Sequence, residues 1–185
     1  MDTKRLWQLC QQCAQQIWDV VPPNARYADL VARQLLGTCA QESGGEWERQ
    51  RLPNLWDTDI GGFSKWQVEK GSILASLAML RQRHMLLRHA TDFVFADSLA
   101  TLGWIDEITL PSILWAMRMD DNDKLGVLFA RLHYLRDPWP IQATLRGQAD
   151  TWKRDYNTVA GAGTPEQYIA SWNGLCEGIV PPWVC

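Results

Sequence analysis

One glutamate in this chain of 185 residues stands where a carboxylate is costly. Before it, apolar side chains recur at helical spacing, at Tyr27, Leu30, Val31, Leu35 and Cys39. Glu42 follows Cys39 by three residues, so it falls on the same helix face, just before a Gly-Gly stop signal. Burial raises the pKa of a carboxyl group, and a protonated glutamate can act as a general acid on a glycosidic bond. By position alone, a side chain that turns toward water at a frayed helix end is the better interpretation, so the assignment depends on further motifs.

A glycoside hydrolase needs a second carboxylate about 5–9.5 Å from the acid. The acidic residues that follow Glu42 are Glu46, Glu48, Asp57, Asp59 and Glu69. No motif singles out any one of them, so the sequence leaves the second carboxylate open.

Other residue types that carry chemistry do not combine into a site. The histidines are not spaced as metal ligands with cysteines or acids; they are His84, His89 and His133. His133 is interpreted as a satisfied core or rim histidine, and the pair Cys10 and Cys13 as a buried helix face. Three aspartates lack the glycine and the terminal glutamate of a calcium loop and fit a helix start better; they are Asp120, Asp121 and Asp123. We therefore expect neither a metal nor a cofactor.

The elements that must position Glu42 are predicted to be helices, which makes the fold all-α. The predicted helices cover about residues 4–20, 27–43, 66–90, 92–102, 109–119, 122–136, 146–157 and 165–175, with the third broken near Gly71 or His84. A long irregular stretch, 46–65, follows the helix of Glu42 and is rich in turn formers. We expect one domain, with an N-terminal helix and connection at 1–26, a core at 27–176 and an extended tail at 177–185.

Composition and charge exclude several classes of function. A net charge of -3 gives no basic surface for nucleic acid. No stretch approaches the roughly 18 apolar residues of a membrane span, so we do not expect an integral membrane protein. Glutamines interrupt the first 20 residues, which argues against a signal peptide, and the five cysteines are expected to be reduced thiols. Tryptophan is abundant, with 11 residues, and suits either the core or the stacking of sugar rings.

Three segments in order resemble the motifs of lytic transglycosylases and goose-type lysozymes. Residues 41–45, Gln-Glu-Ser-Gly-Gly, resemble the catalytic Glu-Ser segment. Residues 61–67, Gly-Gly-Phe-Ser-Lys-Trp-Gln, stand where that superfamily has a Gly-rich turn into Gly-Leu-Met/Phe-Gln. Residues 155–158, Asp-Tyr-Asn-Thr, stand where it has Ala-Tyr-Asn. The resemblance implies a single-domain lysozyme-like helical fold with a long loop after the catalytic helix.

More narrowly, the chain resembles small phage-encoded lysozyme-like proteins over about residues 33–172. The segments that carry this likeness are 35–43, 132–136 and 152–158. The resemblance implies cleavage of the β-1,4 bond between N-acetylmuramic acid and N-acetylglucosamine in peptidoglycan. It also implies a phage role in lysis (an endolysin) or in entry as a virion-associated muramidase. Such a protein is made in the host cytoplasm and acts on the bacterial cell wall or within a virion, with other virion proteins as further partners.

The resemblance also assigns roles to individual residues. Glu42 would donate the proton and then act as the base, with the N-acetyl group of the substrate replacing a second carboxylate and a 1,6-anhydro sugar as the product. Gln67 and Asn157 would bind the sugar or its N-acetyl group, and Tyr156 would hold Glu42 or shield it from water. Ser43 would bind the substrate or its own helix end. Trp66, like Trp47 and Trp56, would stack on the glycan, although a place in the core is an equally good interpretation.

The chain also departs from the motifs. Ser64 stands where the superfamily has glycine, Lys65 where it has leucine, and Asp155 where it has alanine. Two functions therefore remain open. The first is a peptidoglycan-cleaving enzyme, and the second is a non-catalytic virion or host-interaction protein that keeps the lysozyme-like fold.

Overall fold

The computed structural model describes residues 2–45, 62–95, 123–137, 139–157 and 161–183. Helices form nearly all the regular structure in these ranges, which confirms the all-α class. The helices are α1 (Thr3–Gln16), α2 (Ala25–Ser43), α3 (Lys70–Gln82), α4 (His84–Phe95), α5 (Asp123–Tyr134), α6 (Leu145–Thr151) and α7 (Pro165–Leu175). A π-helical turn, Trp152–Tyr156, continues α6, and a two-stranded antiparallel hairpin joins β1 (Gly62–Phe63) to β2 (Val68–Glu69).

Helix α2 carries Glu42 and is the central element of the core. The Asn24 side chain caps its start by accepting a hydrogen bond from the Tyr27 amide at 2.8 Å. Its end is fixed by Gly44, whose φ of 61° lies in the left-handed region that favours glycine. The helix packs against α1 and α7, and its middle, residues 31–40, is buried throughout. Burial on both sides explains why α2 is rich in apolar residues beyond a single stripe.

Several predicted helix limits are wrong. Helix α1 ends at Gln16 rather than near residue 20, because Ile17 is already extended. Residues 66–69 are not helical, since they complete the hairpin, and the helix that follows begins only at Lys70. The predicted break near His84 exists, between α3 and α4. Helix α4 then continues to Phe95, so no new helix begins at residue 92, where one was predicted. The stretch 46–61 and the helix predicted at 109–119 lie outside the described residues.

The hairpin is held against α2 and α5 by contacts of its turn. Trp66 is fully buried, and its indole N–H donates to the carbonyl oxygen of Leu35 in α2 at 2.8 Å. Lys65 pairs with Asp123 at the start of α5, with Nζ and Oδ1 2.6 Å apart. Gly126 of α5 allows close approach, because a Cβ there would lie 2.7 Å from the Cβ of Ser64. Contacts with α2 and α5 therefore fix the position of this turn and of the residues in it.

Four cysteines lie buried as free thiols in the described ranges, namely Cys10, Cys13, Cys39 and Cys176. The interpretation of the first two as part of a buried helix face is thereby confirmed. The C-terminal segment folds back onto α2, where the Arg33 guanidinium donates to the carbonyl oxygen of Pro181 and stacks on Trp183. Within the described ranges, no helix combines the length and apolar character that crossing a membrane requires.

Candidate active site

An open cavity of about 650 Å³ lies at the C-terminal end of α2. Its walls come from α2, the hairpin, the first turn of α3, the end of α5, the π turn and residues 161–163. The structure brings four of the predicted site residues to this cavity, namely Glu42, Gln67, Tyr156 and Asn157. They are up to 115 positions apart in the chain, so the fold, and not local sequence, creates the site.

Glu42 lies in the cavity wall with its carboxyl group half-buried. Its pKa is raised from 4.5 to about 7, mainly by burial and to a smaller extent by the nearby charge of Glu69. The Trp152 indole N–H opposes this rise, because it donates to Oε1 of Glu42 at 2.8 Å and so stabilises the ionised form. The carboxyl group is therefore partly protonated near neutral pH, as a general acid must be.

Trp152, Tyr156 and Asn157 belong to one π-helical turn. The amide of Asn157 donates to the carbonyl oxygen of Trp152 at 2.9 Å, which closes a turn wider by one residue than that of an α-helix. The wider turn allows the fourth and fifth residues after Trp152 to line the cavity that Trp152 itself lines. The sequence predicted an α-helix at 146–157 and missed this feature.

Trp152, and not Tyr156, forms the hydrogen bond that holds Glu42. The phenol of Tyr156 donates to the carbonyl oxygen of Trp66 at 2.7 Å, which joins the π turn to the hairpin. The predicted role of Tyr156 in holding Glu42 therefore needs correction. Tyr156 is nevertheless close to the acid, since the charge of Glu42 contributes to raising the phenol pKa. The sequence did not indicate that Trp152 binds Glu42, because a tryptophan in an amphipathic helix predicts only burial.

Gln67 and Asn157 both line the cavity. Gln67 has a φ of 49°, and its Nε2 donates to the carbonyl oxygen of Ser64 at 2.7 Å. Asn157 is held by Lys153, whose Nζ donates to Oδ1 at 2.9 Å and also to the carbonyl oxygen of Gly161 at 2.7 Å. Gly161 must be small, because a Cβ there would lie 2.3 Å from that same Oδ1. Both amides are thus fixed by neighbouring groups before any ligand binds.

Two predicted substrate-binding residues are placed elsewhere. The Ser43 hydroxyl is buried, donates to the carbonyl oxygen of Cys39 at 3.1 Å and accepts from the amide of Gly45 at 3.0 Å. Of its two predicted roles, it therefore takes the one at its own helix end. The ring of Trp66 belongs to the core and cannot stack on a ligand, so that assignment is wrong. Trp47 and Trp56 lie outside the described residues.

The cavity wall also contains residues to which the sequence gave no part in binding or catalysis, namely Ser72, His133 and Arg136. His133 donates from Nε2 to the carbonyl oxygen of Asp155 at 2.7 Å, which fixes the neutral tautomer with Nδ1 as acceptor. Nδ1 accepts hydrogen bonds from Ser72 and from the Arg136 guanidinium, the latter at 2.8 Å. Burial lowers the pKa of His133 to about 4, so the ring stays neutral. His133 is thus a rim histidine with both nitrogens bonded, as the sequence indicated.

Glu69 is the one described member of the five candidate second carboxylates, and it lies in the cavity wall. Glu46, Glu48, Asp57 and Asp59 lie outside the described residues. Across the described ranges, histidines, cysteines and acids form no group of three that could hold a metal ion. The arrangement supports acid–base chemistry by one perturbed glutamate in a cavity that two amide residues, Gln67 and Asn157, also line.

Comparison with known proteins adds no assignment to this geometry. No protein-family model matches the chain, and no curated protein or solved structure shows significant similarity to it.

Proposed function

We propose that this protein cleaves the β-1,4 bond between N-acetylmuramic acid and N-acetylglucosamine in peptidoglycan, with Glu42 as its catalytic acid. The observation that carries the proposal is a half-buried glutamate with a pKa near 7 in the wall of an open cavity. Gln67 and Asn157, which the motif resemblance assigns to sugar binding, line the same cavity. Cleavage of a glycosidic bond needs such a protonated acid beside hydrogen-bonding groups that orient the sugar.

The proposed mechanism is that of a lytic transglycosylase. Glu42 gives its proton to the glycosidic oxygen as the bond from C1 of N-acetylmuramic acid breaks. The substrate's own N-acetyl oxygen bonds to C1 and stabilises the positive charge that develops there. The Glu42 carboxylate then takes the proton of the C6 hydroxyl, whose oxygen displaces the N-acetyl oxygen at C1. The products are a 1,6-anhydro sugar and a strand with a free 4-hydroxyl, and Glu42 recovers its proton.

Glu69 supports a hydrolase as a second candidate. It lies in the cavity wall, and its charge raises the pKa of Glu42, so the two carboxyl groups are neighbours. In a hydrolase, Glu69 would activate water or attack C1 directly, and the product would be a reducing sugar. The nature of the new sugar end therefore separates the two mechanisms.

The resemblance to phage-encoded proteins supports a role in lysis or in entry at the bacterial cell wall.

The departures from the superfamily motifs support the non-catalytic virion protein as the competing proposal. Ser64, which replaces a glycine of the motif, has a φ of 64°, a conformation that glycine adopts without strain. The hairpin thus keeps the backbone that a glycine would favour, which is consistent with a retained rather than a remodelled turn.

Digestion of purified peptidoglycan tests the proposal, with mass spectrometry of the released muropeptides. We expect anhydro-muropeptides from the wild type and none from Glu42→Gln. Reducing muropeptides, lost in both Glu42→Gln and Glu69→Gln, would assign the hydrolase instead. Absence of any cleavage, including that of the host's own wall, would favour the non-catalytic protein.

A further inference from the structure

Arg136 presents a positive charge to the same cavity as Glu42. It follows the end of α5, and its Nη2 donates to Oγ of Ser72 at 2.9 Å and to Nδ1 of His133 at 2.8 Å. Both partners are neutral. Among the described residues, no carboxylate forms an ion pair with Arg136. The guanidinium is thus oriented by hydrogen bonds without being neutralised.

Asp137, which follows Arg136 in the chain, and Asp155 are both paired with another arginine. Arg154 donates to Oδ2 of Asp137 at 2.9 Å and to both carboxylate oxygens of Asp155 at 2.5 Å. Burial lowers the pKa of Arg136, but a guanidinium stays charged at any ordinary pH. This exposed guanidinium has no carboxylate partner among the described residues, so it can bind an anion that enters the cavity.

Tyr156 lies close to both this cation and the catalytic acid. Its ring centroid lies 4.7 Å from that of His133, and its phenol is close enough to Glu42 and to Arg136 to interact with both charges. Glu69, the other acid in the cavity wall, contributes to raising the pKa of both Glu42 and Tyr156. The proton donor and an arginine cation therefore line the same cavity, each near Tyr156.

We propose that Arg136, held by Ser72 and His133, binds a carboxylate of the glycan substrate beside the bond that Glu42 cleaves. This inference rests on the proposed function and names its substrate class: a glycan strand with carboxylates, in preference to a neutral strand of N-acetylglucosamine alone. Nη2 and Nε already donate to Ser72 and His133, which leaves the two hydrogens of Nη1 to donate to a carboxylate. Peptidoglycan offers two such groups, the lactyl carboxylate of a muramic acid without peptide and the carboxylates of the stem peptide.

Binding to an inactive variant tests the proposal without turnover. Glu42→Gln and the double variant Glu42→Gln/Arg136→Gln are titrated by calorimetry with three probes. These are glycan strands stripped of peptides by an amidase, strands that keep their stem peptides, and chitotetraose, which has no carboxylate. We expect Arg136→Gln to weaken the binding of at least one carboxylate probe by about 10- to 100-fold and to leave chitotetraose unchanged. The probe that responds identifies which carboxylate is bound.

Two further variants separate charge recognition from structural damage. Arg146→Gln removes an exposed arginine paired with Glu166 outside the cavity and should change none of the affinities. Arg136→Lys keeps the charge but loses the planar guanidinium that Ser72 and His133 orient, so carboxylate binding should be intermediate. If Arg136→Gln lowered the affinity for charged and neutral probes equally, or for neither, the carboxylate subsite would be overturned. Cleavage of peptidoglycan by the wild type would still leave the proposed function intact. Failure of every strand to bind, together with no cleavage by the wild type, would overturn both.

Discussion

Replacing Glu42 by glutamine should alter stability only at a pH where the native carboxyl group ionises. The pKa of Glu42 is about 7 in the folded protein, against 4.5 for an ordinary glutamate. The folded state therefore holds this proton more tightly than the unfolded chain. The free energy of unfolding falls as the pH rises between those two values, and the loss is complete above the higher one.

The size of the effect follows from the two pKa values. One pKa unit corresponds to about 1.4 kcal/mol, so ionised Glu42 costs the fold at most about 3 kcal/mol above pH 7. Glutamine has nearly the same shape, can still accept the Trp152 hydrogen bond and does not ionise. The half-buried position and the second amide hydrogen reduce the gain. We expect Glu42→Gln to be about 1–3 kcal/mol more stable than the wild type at about pH 8 and equal to it at about pH 4.

Urea unfolding of both proteins at the two pH values measures this difference. Glu177→Gln, an exposed substitution of the same kind, is the matched control and should show no such dependence on pH. A stability difference between Glu42→Gln and wild type that stays constant with pH would refute the reasoning, because it would mean that Glu42 titrates as an ordinary glutamate. The same variant should lose peptidoglycan cleavage, and wild-type activity should fall as the pH rises through about 7. Full activity in the variant would refute the mechanism.

Three substitutions test the surroundings of the acid. Trp152→Phe removes the donor that lowers the pKa of Glu42, so the alkaline limit of activity should move to higher pH, and an unchanged profile would contradict this role. Glu69→Gln removes a like charge, so the same limit should move to lower pH, with a much smaller loss of rate than in Glu42→Gln if the enzyme is a transglycosylase. Trp66→Phe leaves the Leu35 carbonyl without its donor and should cost about 1–3 kcal/mol of unfolding free energy while KM stays unchanged. If Trp66→Phe instead raised KM without lowering the unfolding free energy, Trp66 would belong to the binding site.

Local signals made two helices predictable. Helix α7 begins at the Thr164-Pro165 pair, where Thr164 and Gln167 form a reciprocal capping box, and it was predicted with its observed limits. The end of α2 at Ser43 was predicted because Gly44 takes a left-handed conformation directly after it. Signals of this kind act within one helical turn, so a single sequence contains all the information that they need.

The hairpin could not be predicted, because its conformation depends on distant residues. Ser64 and Gln67 both have positive φ, which residues with a Cβ rarely adopt unless surrounding structure enforces it. That enforcement comes from Gly126 and from the ion pair of Lys65 with Asp123, about 60 positions away. The apolar residues of the hairpin, Phe63, Trp66 and Val68, are all buried. Their spacing therefore follows neither a helical nor a strand period.

Only the part of the candidate site that the motif residues form could be predicted from the sequence. Glu42, Gln67, Tyr156 and Asn157 line one cavity, as their motifs indicated. The part of the wall formed by Ser72, His133 and Arg136 was not predicted, because a serine in α3 and two residues at and after the end of α5 have no spacing in common. Their association depends on how α3 packs on α5, which is a property of the tertiary structure.

Tryptophan illustrates why composition alone misleads about such a site. Eleven tryptophans suggested sugar stacking, yet Trp139 is the only strongly exposed one in the described ranges, at 66%. Trp66 and Trp152 instead use their rings to exclude water and their N–H groups to satisfy oxygen atoms inside the fold. At Glu42 these two properties oppose each other, because enclosure raises the carboxyl pKa while the Trp152 N–H lowers it. The balance leaves the pKa near 7, where the acid can both give and recover a proton, whereas an apolar ring without a donor would leave it higher.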